Sequence, residues 1–168
     1  MHKKLITLAA LLLFSIPLHA QLYVGGAVSV SHSGSDQTFS TSFRPDIGYS
    51  FGRFAAGVAF LAETYTSLEE GGDKTTNLGL APYVEYHFWS SDNLSLYVEG
   101  GVGHSRFMGF ESRYSRWTPY LGLGISFALT EHWTLEGELG RLEYDSYFRN
   151  TQFNWSGDAL SVGLYYTF

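Results

Sequence analysis

Two short segments carry the residue types that acyl hydrolysis requires, a serine beside a histidine. They are Ser31-His32-Ser33 and His104-Ser105. A serine becomes a nucleophile when a histidine takes its proton and an acid orients that histidine. Neighbours along the chain do not always meet in space, so these residues support an enzyme only if the elements that carry them bring the groups together.

Acidic side chains spaced by two form a second group of chemistry-bearing residues. Glu136 and Glu138 are one such pair. Paired carboxylates support glycoside hydrolysis only where they flank an open cleft. With Asp46 and Glu63, they fall on one face of the predicted strands, and buried charges on such a face stabilise one another in pairs. We therefore predict an interior polar network, not a catalytic pair, with these members: Arg44, Glu85, His87, Glu99, Glu136 and Glu138.

Metal and cofactor sites have little support in the sequence. The chain has no cysteine, and His32, His87, His104 and His132 lack the short spacings of a zinc site. The acidic run at 69–73 is a weak candidate for a divalent cation, but a charge run of this kind is usually a solvated loop. No Lys-Ser/Thr follows the glycine-rich segments, as a phosphate-binding loop requires. We predict neither a cofactor nor a metal.

The composition narrows the class of protein. Of 168 residues, 17% are aromatic and only 15% are charged, whereas ordinary globular domains carry about 25% charged residues. Such a chain is neither disordered nor a disulfide scaffold. The net charge is −6, and nucleic-acid binding needs clustered lysine and arginine. We therefore exclude nucleic acid as a partner.

The first 20 residues match a secretory signal peptide. A basic start at Lys3 and Lys4 precedes an apolar run, which ends at Leu18-His19-Ala20. The run is too short for a membrane anchor. We predict cleavage after Ala20, which leaves residues 21–168 with eight basic and 16 acidic side chains. Lys74 is then the one lysine of the mature chain.

Apolar and small or polar residues alternate along the whole mature chain. Leu160, Val162 and Leu164, for example, alternate with Ser161 and Gly163. Successive side chains of a strand point to opposite faces, so this period of two predicts strands with one apolar face. The predicted strands number eight and cover residues 22–32, 39–50, 52–65, 75–89, 94–107, 115–129, 133–144 and 153–168.

The predicted connections alternate strictly between long and short. Loops at 33–38, 66–74, 108–114 and 145–152 are long and polar, whereas the three between them are tight. A transmembrane barrel with both termini in the periplasm has this pattern. A soluble barrel would need lysine on its water-facing strands, and the mature chain has one. We therefore predict an all-β, eight-stranded antiparallel up-and-down barrel that crosses the membrane as a monomer.

Aromatic residues cluster where the apolar strands end, as expected for rings at the level of lipid headgroups. At the long-loop end we assign Tyr65 and Trp117, among others, to this belt. Arg141 is the exception on the apolar face, where a charge near the bilayer centre is costly. Either a bulge at Gly140 turns Arg141 inward or the position lies near the interface.

The C-terminal strand resembles the terminal signature of bacterial outer-membrane β-barrel proteins. Phe168 ends the chain, and apolar residues precede it at every second position, beginning with Tyr166. The mature chain as a whole is similar to small barrels of the opacity and X-protein type, and Gln21 with the glycine-rich first strand resembles their Bacteroidetes members. The resemblance implies that the barrel-assembly machinery reads Phe168 and Tyr166. It also implies lipopolysaccharide and membrane lipid as neighbours.

Two functions fit such a barrel. Related small barrels are adhesins, immune-evasion factors or envelope stabilisers, whereas others modify lipid A. Neither serine–histidine segment matches the His-x-Ser-Asn pattern of lipid A 3-O-deacylases, so we favour a structural or surface-interaction role with a side-chain-filled lumen and no enzyme activity. The extracellular ligand is then contacted by the long loops, with these candidate residues: Phe110, Arg113, Tyr147, Phe148 and Arg149.

Overall fold

The computed structural model describes residues 20–33, 38–67, 74–108, 113–147, 149–155 and 159–168. Each of their strand pairings is antiparallel. Within these ranges, no helix is long and apolar enough to cross a membrane. The strand segments are β1 Gln21–Ser33, β2 Thr38–Phe51, β3 Phe54–Ser67, β4 Lys74–Ser91, β5 Leu94–Met108, β6 Arg113–Ala128, β7 Trp133–Asp145, β8 Asn150–Trp155 and β9 Ala159–Thr167.

These segments close into a barrel of eight strand positions. Each strand from β1 to β7 pairs with the next one. On its other side, β7 pairs first with β9 and then, towards its own C-terminal end, with β8. Because β8 and β9 share one position and β9 also pairs with β1, the sheet has no free edge. The predicted eight-stranded antiparallel barrel is therefore confirmed.

The predicted strand ends are correct to within a few residues. The clearest difference is the last predicted strand, 153–168, which the structure describes as two segments, β8 from Asn150 and β9 from Ala159. A smaller difference is β3, which begins at Phe54 instead of residue 52. Phe51 pairs with Phe54, so Gly52 and Arg53 form a two-residue turn. Gly52 has φ +63°, a conformation that glycine adopts without steric cost. The turn shortens the strand at its start.

Large apolar side chains cover the outside of the barrel, and small or polar ones fill the inside. Neighbouring residues of β3 show this directly, because Phe60 is 62% exposed and Ala59 is fully buried. This distribution is the inverse of a soluble protein and suits a wall that faces lipid. The buried layer consists mainly of tyrosines and alanines: Tyr23, Ala55, Ala59, Ala81, Tyr83, Tyr120 and Tyr165.

Tyrosine rings lie flat against glycines inside the barrel. A Cβ at Gly124 would lie 2.2 Å from Cζ of Tyr97. A Cβ at Gly48 would lie 2.4 Å from the hydroxyl oxygen of Tyr23. Neither separation is possible, so each ring needs a residue without a side chain beneath it. The glycines thus provide the space in which the tyrosines fill a narrow lumen.

A bulge in β7 turns Arg141 into the lumen. Leu123 pairs with Gly140, but the next residue, Gly124, pairs with Glu138, so Leu139 is an extra residue without a partner in β6. An extra residue reverses the alternation beyond it. Arg141 therefore faces the inside, which decides between the two alternatives that the sequence leaves open.

We expect the barrel to tolerate removal of Leu139. Without it, Glu138 and Gly140 become neighbours and pair with Gly124 and Leu123 in a regular ladder, so Arg141 keeps its inward position. The free energy of unfolding in urea should change by no more than about 1 kcal/mol. Deletion of Leu142 is the matched control, because it would move Glu143 and Asp145 to the lipid face. Equal destabilisation by the two deletions would contradict this assignment.

A second bulge, in β4, places two aromatic residues side by side on the outside. His87 pairs with Tyr97 and Trp89 pairs with Leu96, which leaves Phe88 as the extra residue. Phe88 and Trp89 are both exposed at the short-turn rim. At the opposite rim, Trp117 faces outward as predicted. The assignment of Tyr65 to that belt is wrong, because Tyr65 lies on the inward face of β3.

Candidate functional site

Two arginines bind two glutamates at the centre of the lumen. Arg44 on β2 binds Glu99 on β5 through both terminal nitrogens, each 3.3 Å from a carboxylate oxygen. Arg141 binds Glu138 through Nε, 3.1 Å from Oε1, and through Nη2, 2.5 Å from Oε2. Nη2 of Arg141 is also 3.7 Å from Glu99. Glu99 thus joins β2 to β7 across the barrel.

Tyrosine rings pack against these cations. The guanidinium carbon of Arg141 lies 4.3 Å from the ring centroid of Tyr120, which is a cation–π distance. The hydroxyls of Tyr23 and Tyr83 share a 2.7 Å hydrogen bond across the lumen. Tyr165 donates a hydrogen bond to Asp46 over 3.2 Å. Aromatic and charged groups together fill the middle of the barrel.

A cavity of about 290 Å³ lies below this layer, towards the short turns. Glu85, His87, Glu99 and Glu136 contribute to its walls. Nε2 of His87 is 2.5 Å from Glu85 Oε1, and Nδ1 is 3.0 Å from Ser95 Oγ. Among the described residues, no hydrogen bond or ion pair engages Glu136, although its carboxylate repels those of Glu85 and Glu99. The cavity is therefore an acidic vestibule with more carboxylates than arginines.

The sequence places the predicted network members on one face, and the structure brings them into contact in two groups. Arg44, Glu99 and Glu138 join through Arg141, whereas Glu85 and His87 form a separate pair nearer the short turns. Glu136 faces the vestibule between the two groups. No group of three His, Asp or Glu side chains in the described chain has the arrangement of a metal site.

Another charged cluster lies at the long-loop end of the lumen. Arg116 donates to Asp145 Oδ2 over 2.8 Å and to Ser105 Oγ over 3.4 Å. Its Nη2 is 3.5 Å from Glu63 Oε2, which also accepts a 2.8 Å hydrogen bond from the Asn77 amide. Strict alternation in β6 already places Arg116 on the inward face, so sequence reasoning could have found it. Asp145 lies beyond the β7 bulge, and no sequence signal identified its direction.

His104 and Ser105 do not assemble a nucleophile. Ser105 is buried inside the barrel, whereas His104 lies on the outer wall with its ring 4.4 Å from that of Trp117. Adjacent residues of a strand face opposite sides, so these two cannot exchange a proton. Ser31 shares a 2.6 Å hydrogen bond with Ser40. The side chain of His32 lies outside the described part of the structure.

Hydrogen bonds of Asp145 and Ser146 hold the backbone of the turn after β7. Asp145 Oδ1 accepts a 2.8 Å hydrogen bond from the backbone N–H of Tyr147. Ser146 accepts from the Trp117 N–H over 2.9 Å and donates its own N–H to the Trp117 carbonyl. The Tyr147 side chain is nevertheless 53% exposed, and Arg149, with φ +53°, is exposed as well. A fixed backbone thus presents an aromatic and a cationic side chain.

The other loop candidates are only partly described. Phe110 and Phe148 lie outside the described residues. For Arg113, only the backbone position is given, opposite Met108 in the register of β5 and β6. The structure therefore describes the side chains of two of the five predicted loop residues, Tyr147 and Arg149.

The C-terminal residues close the barrel at the short-turn rim. The Phe168 N–H donates to the Leu22 carbonyl over 2.9 Å, which attaches the chain end to β1. Tyr166 contacts the rings of His132, Trp133 and Phe168 at centroid distances of 5.4, 5.1 and 5.0 Å. The Phe168 side chain is 62% exposed on the outside. Recognition of Phe168 and Tyr166 by the barrel-assembly machinery stays a prediction.

Comparisons with known proteins agree with this architecture. Neisserial surface protein A aligns with a TM-score of 0.60 and 16% identity, over 89% of this chain and 97% of that chain. The N-terminal barrel domain of OprF from Pseudomonas aeruginosa gives 0.57 and 16%, over 89% and 100%. Ail from Yersinia pestis gives 0.56 and 13%, over 89% and 100%. At these identities, the likeness shows the fold alone.

A search of curated proteins finds no match. In contrast, the model of one protein family covers residues 6–168, nearly the whole chain. That family is described as the outer membrane protein beta-barrel domain. This description agrees with the apolar outer wall and the closed sheet, which both suit a protein embedded in a membrane. The chain therefore belongs to the outer membrane protein beta-barrel domain family of bacterial proteins.

Proposed function

We propose that this barrel is a surface-interaction protein whose long loops face the outside of the cell and whose lumen is closed. The anchored turn after β7 carries the proposal, because Asp145 and Ser146 fix its backbone while Tyr147 and Arg149 remain exposed. Aromatic and arginine side chains are enriched at binding surfaces. A preformed loop also loses less conformational entropy on binding than a flexible one. Ail, a similar barrel, is named an attachment invasion locus protein.

The contact role is tested by retention of intact cells on immobilised heparin and matrix proteins. Cells that carry the wild-type protein should be retained at least about fivefold better than cells that carry the Tyr147→Ala, Arg149→Gln double variant, if each side chain contributes about 0.5–1 kcal/mol. Arg53→Gln, at the opposite rim, is the matched control. Equal retention of wild-type cells and cells without the protein would remove the support for a contact role and favour a structural one.

The orientation is tested with single cysteines, because the natural chain contains none. Asn150 and Glu131 are exposed at the long-loop and short-turn ends, respectively. An impermeant maleimide should label Asn150→Cys on intact cells and Glu131→Cys only after the outer membrane is opened. The reverse pattern would show that the long loops and both termini are placed on the wrong sides.

Mass spectrometry of the purified protein tests the signal peptide, since cleavage after Ala20 leaves Gln21 first.

Two groups of side chains inside the barrel support a closed lumen. The Arg44–Glu99–Arg141 chain spans the centre, and the Tyr23–Tyr83 hydrogen bond crosses the lumen beside it. Eight strands enclose a space that side chains can fill completely. In planar bilayers, the purified protein should therefore show no steady conductance. Stable nanosiemens channels from the wild-type protein would contradict the proposal.

Absence of enzyme activity is part of the proposal. The opposite directions of His104 and Ser105 support it, because a serine hydrolase needs both groups at one point. Lipid A from cells with and without the gene should give the same mass spectrum. A changed acyl pattern would instead favour a lipid A-modifying enzyme.

A further inference from the structure

Arg106 is a charged side chain on the outer wall without a protein partner in the described chain. It is exposed near the end of β5, whereas the described acidic side chains of the strands face the lumen. Arg44, Arg116 and Arg141 also face the lumen and bind carboxylates there. Arg106 takes part in no ion pair within the described ranges. A permanent cation on an apolar wall is stabilised by an anion from outside the protein.

The position of Arg106 along β5 gives its depth in the membrane. Leu96, ten residues earlier, pairs with Trp89 at the short-turn rim. At about 3.3 Å per residue and a strand tilt of about 40°, ten residues rise by roughly 25 Å. That rise equals the height of the apolar band of such barrels, about 25 Å. The guanidinium of Arg106 therefore lies at the level of the lipid headgroups in the leaflet at the long-loop end.

The neighbours of Arg106 on the outer wall are aromatic and apolar. Two residues earlier on β5, the His104 ring contacts the ring of Trp117 at an interplanar angle of 44°, and the Trp117 indole is exposed. Leu78 lies opposite Arg106 on β4 and is exposed to lipid. An arginine stem packs along such a surface while its charged head reaches the interface. The wall thus combines a surface for lipid chains with one cationic group above it.

From this geometry we infer that Arg106, with His104 and Trp117, binds the phosphate of a phosphorylated glycolipid in the outer leaflet. The planar guanidinium donates two parallel hydrogen bonds to phosphate oxygens, a geometry that a point charge does not provide. The Trp117 indole and Leu78 pack against the glycolipid below its phosphate. The inference rests on the proposed orientation, which places this rim in the outer leaflet.

The test is native mass spectrometry of the purified full-length mature barrel in detergent micelles. Three probes are added separately: bisphosphorylated lipid A, the same lipid A without its phosphates, and phosphatidylglycerol. Wild-type protein should retain bisphosphorylated lipid A about fivefold more strongly than Arg106→Gln, which corresponds to about 1 kcal/mol for one interfacial arginine. Arg53→Gln, which removes an exposed arginine at the opposite rim, should retain it like the wild type.

Each further result has one meaning. Weaker retention of the dephosphorylated lipid by the wild type, with no difference for Arg106→Gln, supports the phosphate as the group recognised. Equal retention of all three probes by the wild type overturns the site, as does an Arg106→Gln variant that retains bisphosphorylated lipid A fully. Preference for phosphatidylglycerol overturns the glycolipid assignment. Unfolding of Arg106→Gln in lipid-free micelles should match the wild type, which separates lost binding from lost folding.

The labelling experiment on Asn150→Cys separates failure of the site from failure of the orientation. If maleimide labels this variant on intact cells while Arg106→Gln retains lipid A normally, only the lipid site is wrong. If the label reaches it only from the periplasm, the orientation itself is wrong, whatever the lipid measurement gives.

Discussion

We expect the Arg44→Met variant to unfold with a free energy about 3 kcal/mol below that of the wild type. Methionine keeps the apolar stem of Arg44 but removes both hydrogen bonds to Glu99, which are 3.3 Å long. The Glu99 side chain is only 6% exposed, and Arg141 Nη2 is then its nearest cation, at 3.7 Å. Leaving the Glu99 carboxylate buried without a close cation costs more free energy than the Arg44–Glu99 ion pair itself contributes. Urea titration of the refolded protein in micelles measures the difference.

The double variant Arg44→Met, Glu99→Gln separates the pair from its surroundings. Removal of both charges leaves no uncompensated carboxylate at Glu99, so the double variant should recover at least about 1 kcal/mol relative to Arg44→Met alone. Arg53→Met, at an exposed turn position, should unfold like the wild type. A double variant less stable than Arg44→Met alone would indicate that the network does more than neutralise Glu99.

The second large effect is expected for Gly124→Ala, which should destabilise the barrel by about 3 kcal/mol or prevent folding. The new methyl group would lie 2.2 Å from Cζ of Tyr97, whose ring is buried. Tyr97 has little room to move, because its ring also packs against His87 at a centroid distance of 5.6 Å. The mobility shift between boiled and unboiled samples on a gel, followed over temperature, reports the change.

Gly100→Ala is the matched control for this substitution. Gly100 lies on the outer face of the neighbouring strand, and a Cβ there would meet only Leu121 Cδ1 at 3.8 Å, an ordinary contact. The free energy of unfolding should then stay within about 0.5 kcal/mol or rise slightly, since alanine restricts the unfolded chain. Tyr97→Leu combined with Gly124→Ala should recover part of the lost stability. Equal stability of Gly124→Ala and Gly100→Ala would mean that Tyr97 does not fill the lumen as described.

The faces of the strands could be predicted from the sequence because alternation is a local property. Phe60 and Ala59 face opposite sides whatever strand lies beside them. The alternation of long and short loops can also be read directly from the sequence, and together with the strand pattern it predicted the barrel. Local rules failed where the ladder is irregular. Strict alternation places Arg141 on the lipid face, and only the register of β6 against β7 shows that Leu139 is an extra residue.

The assignment of Tyr65 failed for a different reason. An aromatic residue near a strand end suits either a membrane belt or the mouth of the lumen. Tyr65 shares the inward phase of Glu63 and donates a 3.1 Å hydrogen bond to it. Composition at the rim favoured the belt, but the phase of β3 favoured the lumen. Phase is the stronger signal, because reversing one residue would require a bulge in the strand.

The sequence by itself thus determined which residues face lipid and which face the lumen, because the direction of a strand side chain depends only on the backbone beside it. The tertiary structure alone decided which inward residues meet. Arg44 and Glu99 are 55 residues apart and lie on strands that are not neighbours. Their contact depends on barrel closure, on the stagger between strands and on the β7 bulge, which together set the height of each side chain in the lumen.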